Sequence, residues 1–379
     1  MSAVAFASLS VVQTLLRVLP FPARKGLVRI GDPSRASPVL LTGNFRLTVQ
    51  RVTRALRGVD AWLLVADSGG VNVWCAATGG LLTNHDVVSV LKTSGVADLV
   101  DHRRVVLPQL AATGIEGREV HRRIGWRVIW GPVEAADLPA FLRRGCEATP
   151  EMRAVRFPWP RRLEMAVAWA FPISLLALPL VPFWKAGVLP LVGLVWALSF
   201  LLFAAFPLTQ GQARMGERRR HLGFVFFDFG PWALPLATWL VLAAGLALRA
   251  SLDPGTPWSF ALRWGLASLI VLLVLSLDLT GSTPVSKSGL HADRLLTIEL
   301  DPERCRGAAF CEQVCPRDVL ELDVRRRASL ARPNRCVQCG ACIVQCPFDA
   351  LYFRGPDGAV VEPTMIREFK LNLLGRRRT

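Results

Sequence analysis

The sequence predicts a multidomain chain: an α/β Rossmann-like domain, a four-helix transmembrane region, and a small α+β domain holding two metal clusters. Three observations predict it. Short apolar runs alternate with helical patterns through residues 36–160, four long apolar spans follow within 163–280, and seven of the nine cysteines fall between Cys305 and Cys346. Residues 1–35 read as an amphipathic lead-in, 297–355 as the cluster domain and 356–379 as a basic tail.

In the first region PVLLTG (38–43), AWLLVAD (61–67), RVVLP (104–108) and WRVIWG (126–131) have the length and composition of buried strands. Helical patterns follow each of them: VQRVTRALRG, DVVSVLKTSG, EGREVHRRIG and DLPAFLRRG. Strands alternating with helices imply a parallel sheet with crossovers. Ligands of such sheets bind at the carboxyl ends of the strands. The turns at 42–45, 67–77, 108–114 and 131–139 are therefore the candidate binding loops. They contain neither G-x-G-x-x-G nor a P-loop, so a nucleotide cofactor has no support.

The second region holds spans at 165–184, 187–208, 222–248 and 259–279. Each is near the ~20 residues a helix needs to cross a bilayer. Pro172, Pro179 and Pro182 predict a kink or re-entrant turn in the first. Trp159, Trp184, Trp232, Trp258 and Trp264 lie near span ends, as in an interfacial belt. The loop ARMGERRRH (213–221) is strongly basic and is expected in the cytoplasm. Four spans then put both soluble domains on the cytoplasmic side of a multi-pass cytoplasmic-membrane protein. Asp228, in FVFFDFGPW, is a carboxylate within the third span and so a functional hint, although the plainer reading is that it lies near the interface or caps a helix break before Gly230-Pro231.

The formal net charge is +16. Such a surplus suits either nucleic acid or an anionic surface. Arginine clusters flank the apolar spans and no nucleic-acid motif accompanies them, so the expected partner is a membrane and not nucleic acid.

In the third region, CVQCGACIVQCP places Cys336, Cys339, Cys342 and Cys346 at the C-x2-C-x2-C-x3-C-P spacing of bacterial ferredoxins. The earlier run, CRGAAFCEQVCP, supplies Cys305, Cys311 and Cys315, with Ala308 in the second cysteine's place. In two-cluster ferredoxins the fourth cysteine of each run ligates the other cluster. Crossed ligation gives one complete set, Cys336, Cys339, Cys342 and Cys315, for a [4Fe-4S] cluster. The other set has three thiolates, Cys305, Cys311 and Cys346, and suits a [3Fe-4S] cluster or a [4Fe-4S] cluster with one open iron. Clustered thiolates imply a reducing compartment and a low-potential electron donor to load them.

The five histidines, His85, His102, His121, His221 and His291, lie outside the spans, so a transmembrane bis-histidine haem is unavailable. That directs the electrons to the α/β domain. Its lone Cys75 sits in the apolar run VNVWCAATGG, where a cysteine is ordinarily a packed core thiol. Cys146 lies outside any motif and reads as structural.

The segments SPVLLTGNFRLTV, VNVWCAA, HRRVVLPQL, GWRVIWGPVEAADLPAFL and EATPEMRAVRFP resemble the HgcA-type corrinoid proteins of mercury methylation. They resemble more distantly the corrinoid iron–sulfur protein of acetyl-CoA synthesis. The 297–355 segment is similar to the HgcB-like ferredoxin partner, so the chain resembles a fusion of the two. The resemblance implies that Cys75 ligates the cobalt of a cobalamin-type corrinoid and is the catalytic ligand. It implies that Asn72 and Trp74 shape a cap helix, that Thr42 and Asn44 line the pocket, and that Gln109, Leu110 and Gly114 meet the corrin edge. The implied function is corrinoid-dependent methyl transfer to Hg(II) or another soft metal or metalloid, with the fused ferredoxin reducing the cobalt to Co(I). The methyl group would come from a methyl donor protein or a methylfolate pathway. The chain departs from the family after NVWCAA, where Thr78-Gly79-Gly80 replaces a lysine-bearing run, and in its tail, LNLLGRRRT, which lacks the partner's cysteine pair. Corrinoid binding is less affected by these departures than the choice of mercury. The alternative from the residues alone is a membrane-bound iron–sulfur electron-transfer protein without corrinoid.

Overall fold

The computed structural model describes residues 11–16, 19–208, 220–222, 225–227, 233–279, 296–355 and 357–368. The expected basic loop at 213–221 lies almost wholly outside these residues, as do Asp228 and half of the basic tail. The chain divides into two compact units: residues 1–19 with 156–290, and residues 20–155 with 291–379. The α/β and cluster regions therefore share one unit.

The α/β sheet has five strands: β1 (Gly26–Ile30), β2 (Val39–Gly43), β3 (Ala61–Ala66), β4 (Arg104–Leu107) and β5 (Arg127–Trp130). Their order is β1-β3-β2-β4-β5. The four strands expected from sequence run parallel, with β2 between β3 and β4. Apart from Arg104 and Arg127 at the starts of β4 and β5, they are mainly apolar because helices cover a parallel sheet on both faces. The lead-in contributes β1, which pairs antiparallel at the edge of β3. The helices are α1 (Arg46–Ala55), α2 (Val73–Gly79), α3 (Asn84–Thr93), α4 (Gly117–Ile124) and α5 (Leu138–Arg143). One core cluster joins Leu40, Leu63, Val65 and Val106 of the sheet to Val52, Leu56 and Phe141 of α1, its end and α5.

The unit of residues 1–19 and 156–290 contains three helical stretches long and apolar enough to cross a membrane: Trp159–Ala205, Ala233–Leu252 and Trp258–Ser276. The first comprises α6 (Trp159–Ala177) and α7 (Val181–Ala205), joined by a 3-10 turn at Leu178–Leu180. Trp184 has non-helical dihedrals, so the prolines at 179 and 182 coincide with a real break. The two legs fold back on each other: Ser199 donates to the Ala166 carbonyl at 2.8 Å and Trp196 to the Ser174 hydroxyl at 3.0 Å. The third expected span, 222–248, is corrected by the structure. Residues Val225–Phe227 form a strand paired with Arg220–Leu222, and the helix, α8, runs Ala233–Leu252. Gly230-Pro231 ends the apolar run that made the span look continuous with FVFF. Helix α9 (Trp258–Leu279) follows, and Trp239 donates to the Gly265 carbonyl across the α8–α9 pair. Phe183, Leu176, Leu189, Val241 and Leu262 stand outward and exposed, an apolar surface that water does not favour.

The cluster region is built twice over. Its first half has β6 (Thr297–Leu300) and α10 (Phe310–Val314), and a hairpin of β7 (Leu320–Leu322) with β8 (Ala328–Leu330). Its second half has α11 (Ala341–Gln345), β9 (Leu351–Arg354), β10 (Val360–Val361) and α12 (Pro363–Glu368). Strand β9 pairs antiparallel with β6 and with β10.

Candidate cofactor sites

The carboxyl edge of the sheet is organised by Asn44, at the end of β2. Its carboxamide oxygen accepts from the Ser68 N–H, the Ser68 hydroxyl and the Gly70 N–H, each at 2.9 Å. Asp67 accepts from Lys25 at 2.8 Å and from the Gly69 N–H at 3.0 Å. The Lys25 ammonium, with the Gly69 N–H, holds the Asp67 carboxyl below its ordinary range. The loop after β3 is thereby fixed, and it leads into α2.

Helix α2 is short and capped at both ends. Asn72 accepts from the Cys75 N–H at 3.0 Å, and Gly80 closes the helix in the left-handed region at φ 71°. Trp74, Ala76 and Ala77 are buried, whereas Cys75 is half-buried. The 3-10 turn Gln109–Thr113, after β4, packs against α2. Leu110 lies in this turn and is partly exposed, and Gly114 ends it. Thus Thr42, Asn44, Asn72, Trp74, Cys75, Gln109, Leu110 and Gly114 all sit at the carboxyl ends of β2, β3 and β4. Asn44 has its oxygen engaged by the 68–70 backbone. Thr42 and Gln109 differ: both are buried, and among the described residues neither the Thr42 hydroxyl nor either end of the Gln109 carboxamide has a hydrogen-bond partner. Unpaired buried polar groups are destabilising unless a ligand completes them.

The cysteines of the cluster region line two partly open cavities. Cys315, Cys336, Cys339 and Cys342 share one, with Arg317 beside them. Cys305, Cys311 and Cys346 share the other, with Ala308. Each cavity thus combines cysteines from both runs, in the crossed pattern. Among the described residues no three histidine, cysteine or carboxylate side chains converge on a single metal ion. Each set of thiols rings one shared space and not a single point, so the residues fit iron–sulfur clusters and not a lone metal. Backbone N–H groups already point at sulfur: Val319 to Cys315 at 3.2 Å, Gln338 to Cys336 at 3.4 Å and Ala328 to Cys305 at 3.5 Å. Such bonds tune cluster potentials.

The two halves repeat at an offset of 31 residues. Gly307 and Gln338 both have positive φ, as do Ala309 and Gly340, and Asp318 and Asp349. Ala308 therefore occupies the backbone place of Cys339, with the thiol deleted. Burial pushes the Cys311 thiol up to about 12 and raises those of Cys315 and Cys342. Cys146, packed beside the α/β core, is raised by burial as well.

Residues 13–142 match the family described as CO dehydrogenase/acetyl-CoA synthase delta subunit, and residues 297–347 match the 4Fe-4S dicluster domain. The N-terminal region is similar to acetyl-CoA decarbonylase/synthase complex gamma subunits. That of Methanopyrus kandleri is 40% identical over 127 residues, 33% of this chain and 27% of the relative. That of Methanocaldococcus jannaschii is 36% identical over 126 residues, 33% of this chain and 25% of the relative. The gamma 2 subunit of Methanosarcina thermophila is 36% identical over 130 residues, 33% of this chain and 27% of the relative. The chain spans about a quarter of the length of these curated relatives. The α/β domain is thus related to an acetyl-CoA synthase subunit, and the C-terminal domain is a 4Fe-4S dicluster domain.

Sequence reasoning located the cysteines and the loops but missed the residues that hold them. Gly43 is one: a methyl group there would lie 2.7 Å from the Ser68 hydroxyl. Ser68, Lys25 and Asp67 are others. A glycine closing β2 beside an Asp-Ser-Gly-Gly loop was the available signal.

Proposed function

We propose that this chain is a membrane-anchored corrinoid-dependent methyl-transfer protein that carries its own two-cluster ferredoxin. The observation that carries the reading is Cys75. It stands half-buried on a short capped helix at the carboxyl edge of a parallel sheet, in a domain related to an acetyl-CoA synthase subunit. The unpaired Gln109 carboxamide and Thr42 hydroxyl support a corrinoid there, because a corrin ring carries a fringe of amides that can bond to both. A bound corrinoid supplies a cobalt that accepts and releases a methyl group and depends on low-potential electrons to be restored. Within this chain, Cys75 offers the cobalt a soft sulfur ligand, Asn72 caps the helix that presents it, and Trp74 anchors that helix in the core. Gln109, Leu110 and Gly114 form the wall beside it, and Thr42 and Asn44 line the pocket. Cys336, Cys339, Cys342 and Cys315 hold a [4Fe-4S] cluster. Cys305, Cys311 and Cys346 hold a [3Fe-4S] cluster or a [4Fe-4S] cluster with one open iron.

A thiolate ligand favours delivery of the methyl group as a carbanion-like species, which suits a soft electrophile. The acceptor in this reading is Hg(II) or another soft metal or metalloid, and the donor is a methyl donor protein or a methylfolate pathway. Helices α6 to α9 cross the cytoplasmic membrane four times, leaving both soluble domains in the cytoplasm.

The test is cobalt and iron per chain in protein purified without oxygen from cells supplied with cobalamin, with visible spectra of the native chain and Cys75→Ala. About one cobalt with about seven or eight iron is expected, and a spectrum that changes on substitution. Iron without cobalt overturns the corrinoid reading and leaves a membrane iron–sulfur electron carrier, with Cys75 filling a core.

A further inference from the structure

The α/β and cluster domains meet through Gln345. Its amide donates to the Ala112 carbonyl at 2.9 Å and to the Ile115 carbonyl at 2.6 Å, and its oxygen accepts from the Gly117 N–H at 3.1 Å. The side chain is buried, and every hydrogen bond runs to the segment that follows β4. The neighbouring residue, Cys346, belongs to the three-cysteine cavity.

Four further contacts lie on the same face. The Pro347 carbonyl accepts from Arg118 at 3.3 Å, and the Pro316 carbonyl accepts from the Val155 N–H at 2.8 Å. Arg367 approaches Glu116 at 3.9 Å and Arg153 approaches Glu312 at 3.6 Å. Pro316 and Pro347 are equivalent residues of the 31-residue repeat, each following a cluster cysteine. Both Cys-Pro corners, one from each cavity, therefore rest on the α/β domain. Helices α10 and α11 lie against the turn that carries Gln109.

We propose that Gln345 is a positioning residue that latches the ferredoxin domain to the Gln109 turn and fixes the path an electron takes between the cluster domain and the site at Cys75. This rests on the corrinoid reading above. The step is a one-electron transfer: a reduced cluster is oxidised by one electron, the cobalt centre is reduced by one, and an external low-potential reductant of the dithionite class reloads the cluster. Glutamine suits the place because it donates to two carbonyls and accepts from one N–H. Glutamate has the same shape but lacks both donors.

The experiment compares the full-length native chain with Gln345→Glu and Gly117→Pro. The second variant removes one of the three bonds, that from the Gly117 N–H, at the first position of α4, where proline is tolerated, and it leaves the cluster sequence untouched. Hydrogen exchange over residues 112–117 is measured first and needs no cobalt. Protection is expected to fall at least tenfold in Gln345→Glu and measurably in Gly117→Pro, with iron content unchanged. In corrinoid-loaded protein, the rate of cobalt reduction after dithionite mixing is expected to fall at least tenfold in both, with cluster spectra unchanged. Unchanged exchange in both variants overturns the latch. Loosened exchange with an unchanged reduction rate overturns the positioning role. Should the native chain bind no cobalt, the corrinoid reading fails and the positioning role with it, while the exchange result still decides whether Gln345 latches the two domains.

Discussion

Gly114 lies directly against Ala77: a methyl group on Gly114 would sit 2.6 Å from the Ala77 carbonyl oxygen. It would also sit 2.6 Å from the Leu82 carbonyl. Two backbone segments, the turn after β4 and the end of α2, approach too closely there for any side chain. Gly114→Ala is expected to destabilise the α/β domain by about 1–3 kcal/mol, the usual range for overpacking, and to move α2 away from the turn. Denaturant unfolding checks the first effect and cobalt uptake the second.

Asn44 holds three donors of the loop after β3 on one oxygen. Asn44→Ala leaves those groups buried and unpaired, and a loss of about 2–4 kcal/mol is expected. Asn44→Asp keeps the acceptor and is expected to lose less. Hydrogen exchange at Ser68 and Gly70 separates the two variants, because both amides open in the alanine form.

The Asp67–Lys25 pair gives the same loop an acid limit. Asp67 is held below the ordinary carboxylate range, first by its hydrogen bond to Lys25. A depressed folded value means a contribution present above the unfolded pKa of ~3.9 and lost as pH falls through the folded one. Because both groups are about half-exposed, the effect is small. Asp67→Asn is expected to flatten the acid limb of the unfolding midpoint as pH falls from about 5 through the lowered folded value, while leaving neutral stability nearly unchanged.

Ala308 marks the missing thiol of the repeat. Ala308→Cys is expected to raise iron by about one per chain and to replace a three-iron signal by a four-iron one in electron paramagnetic resonance. No change in iron would mean that the native site already holds four.

Arg317 lines the complete cysteine cavity and is mostly buried there, its guanidinium pulled below its ordinary value by desolvation and then by Arg335. A buried cation stabilises the more negative, reduced cluster. Arg317→Leu is therefore expected to lower that cluster's potential by tens of millivolts, read by a redox titration.

Much of this arrangement was legible in the sequence because its signals are local. The four parallel strands are continuous apolar runs, and the cysteine spacing carries the crossed pairing. Strand β1 was not legible, since GLVRI is short and half-polar and becomes a strand only through its edge pairing with β3. The third apolar span was misread at its start because hydropathy cannot distinguish VFF in a strand from VFF in a helix. Gln345 was invisible for a different reason. It lies more than 220 residues from the carbonyls it reaches, and a glutamine beside a cluster cysteine has no motif.

The chemistry of the latch has a consequence for ionic strength. Charge-steered contacts between proteins weaken as salt rises, because counterions screen them within about 10 Å at 0.1 M. A buried carboxamide bonded to neutral backbone groups is indifferent to that screening. Two ion pairs, Arg367–Glu116 and Arg153–Glu312, share the face, so under the proposal above electron delivery is expected to vary only weakly with salt and not with protein concentration. Under that proposal the chain would behave as a single electrical component and not as a pair of partners in equilibrium.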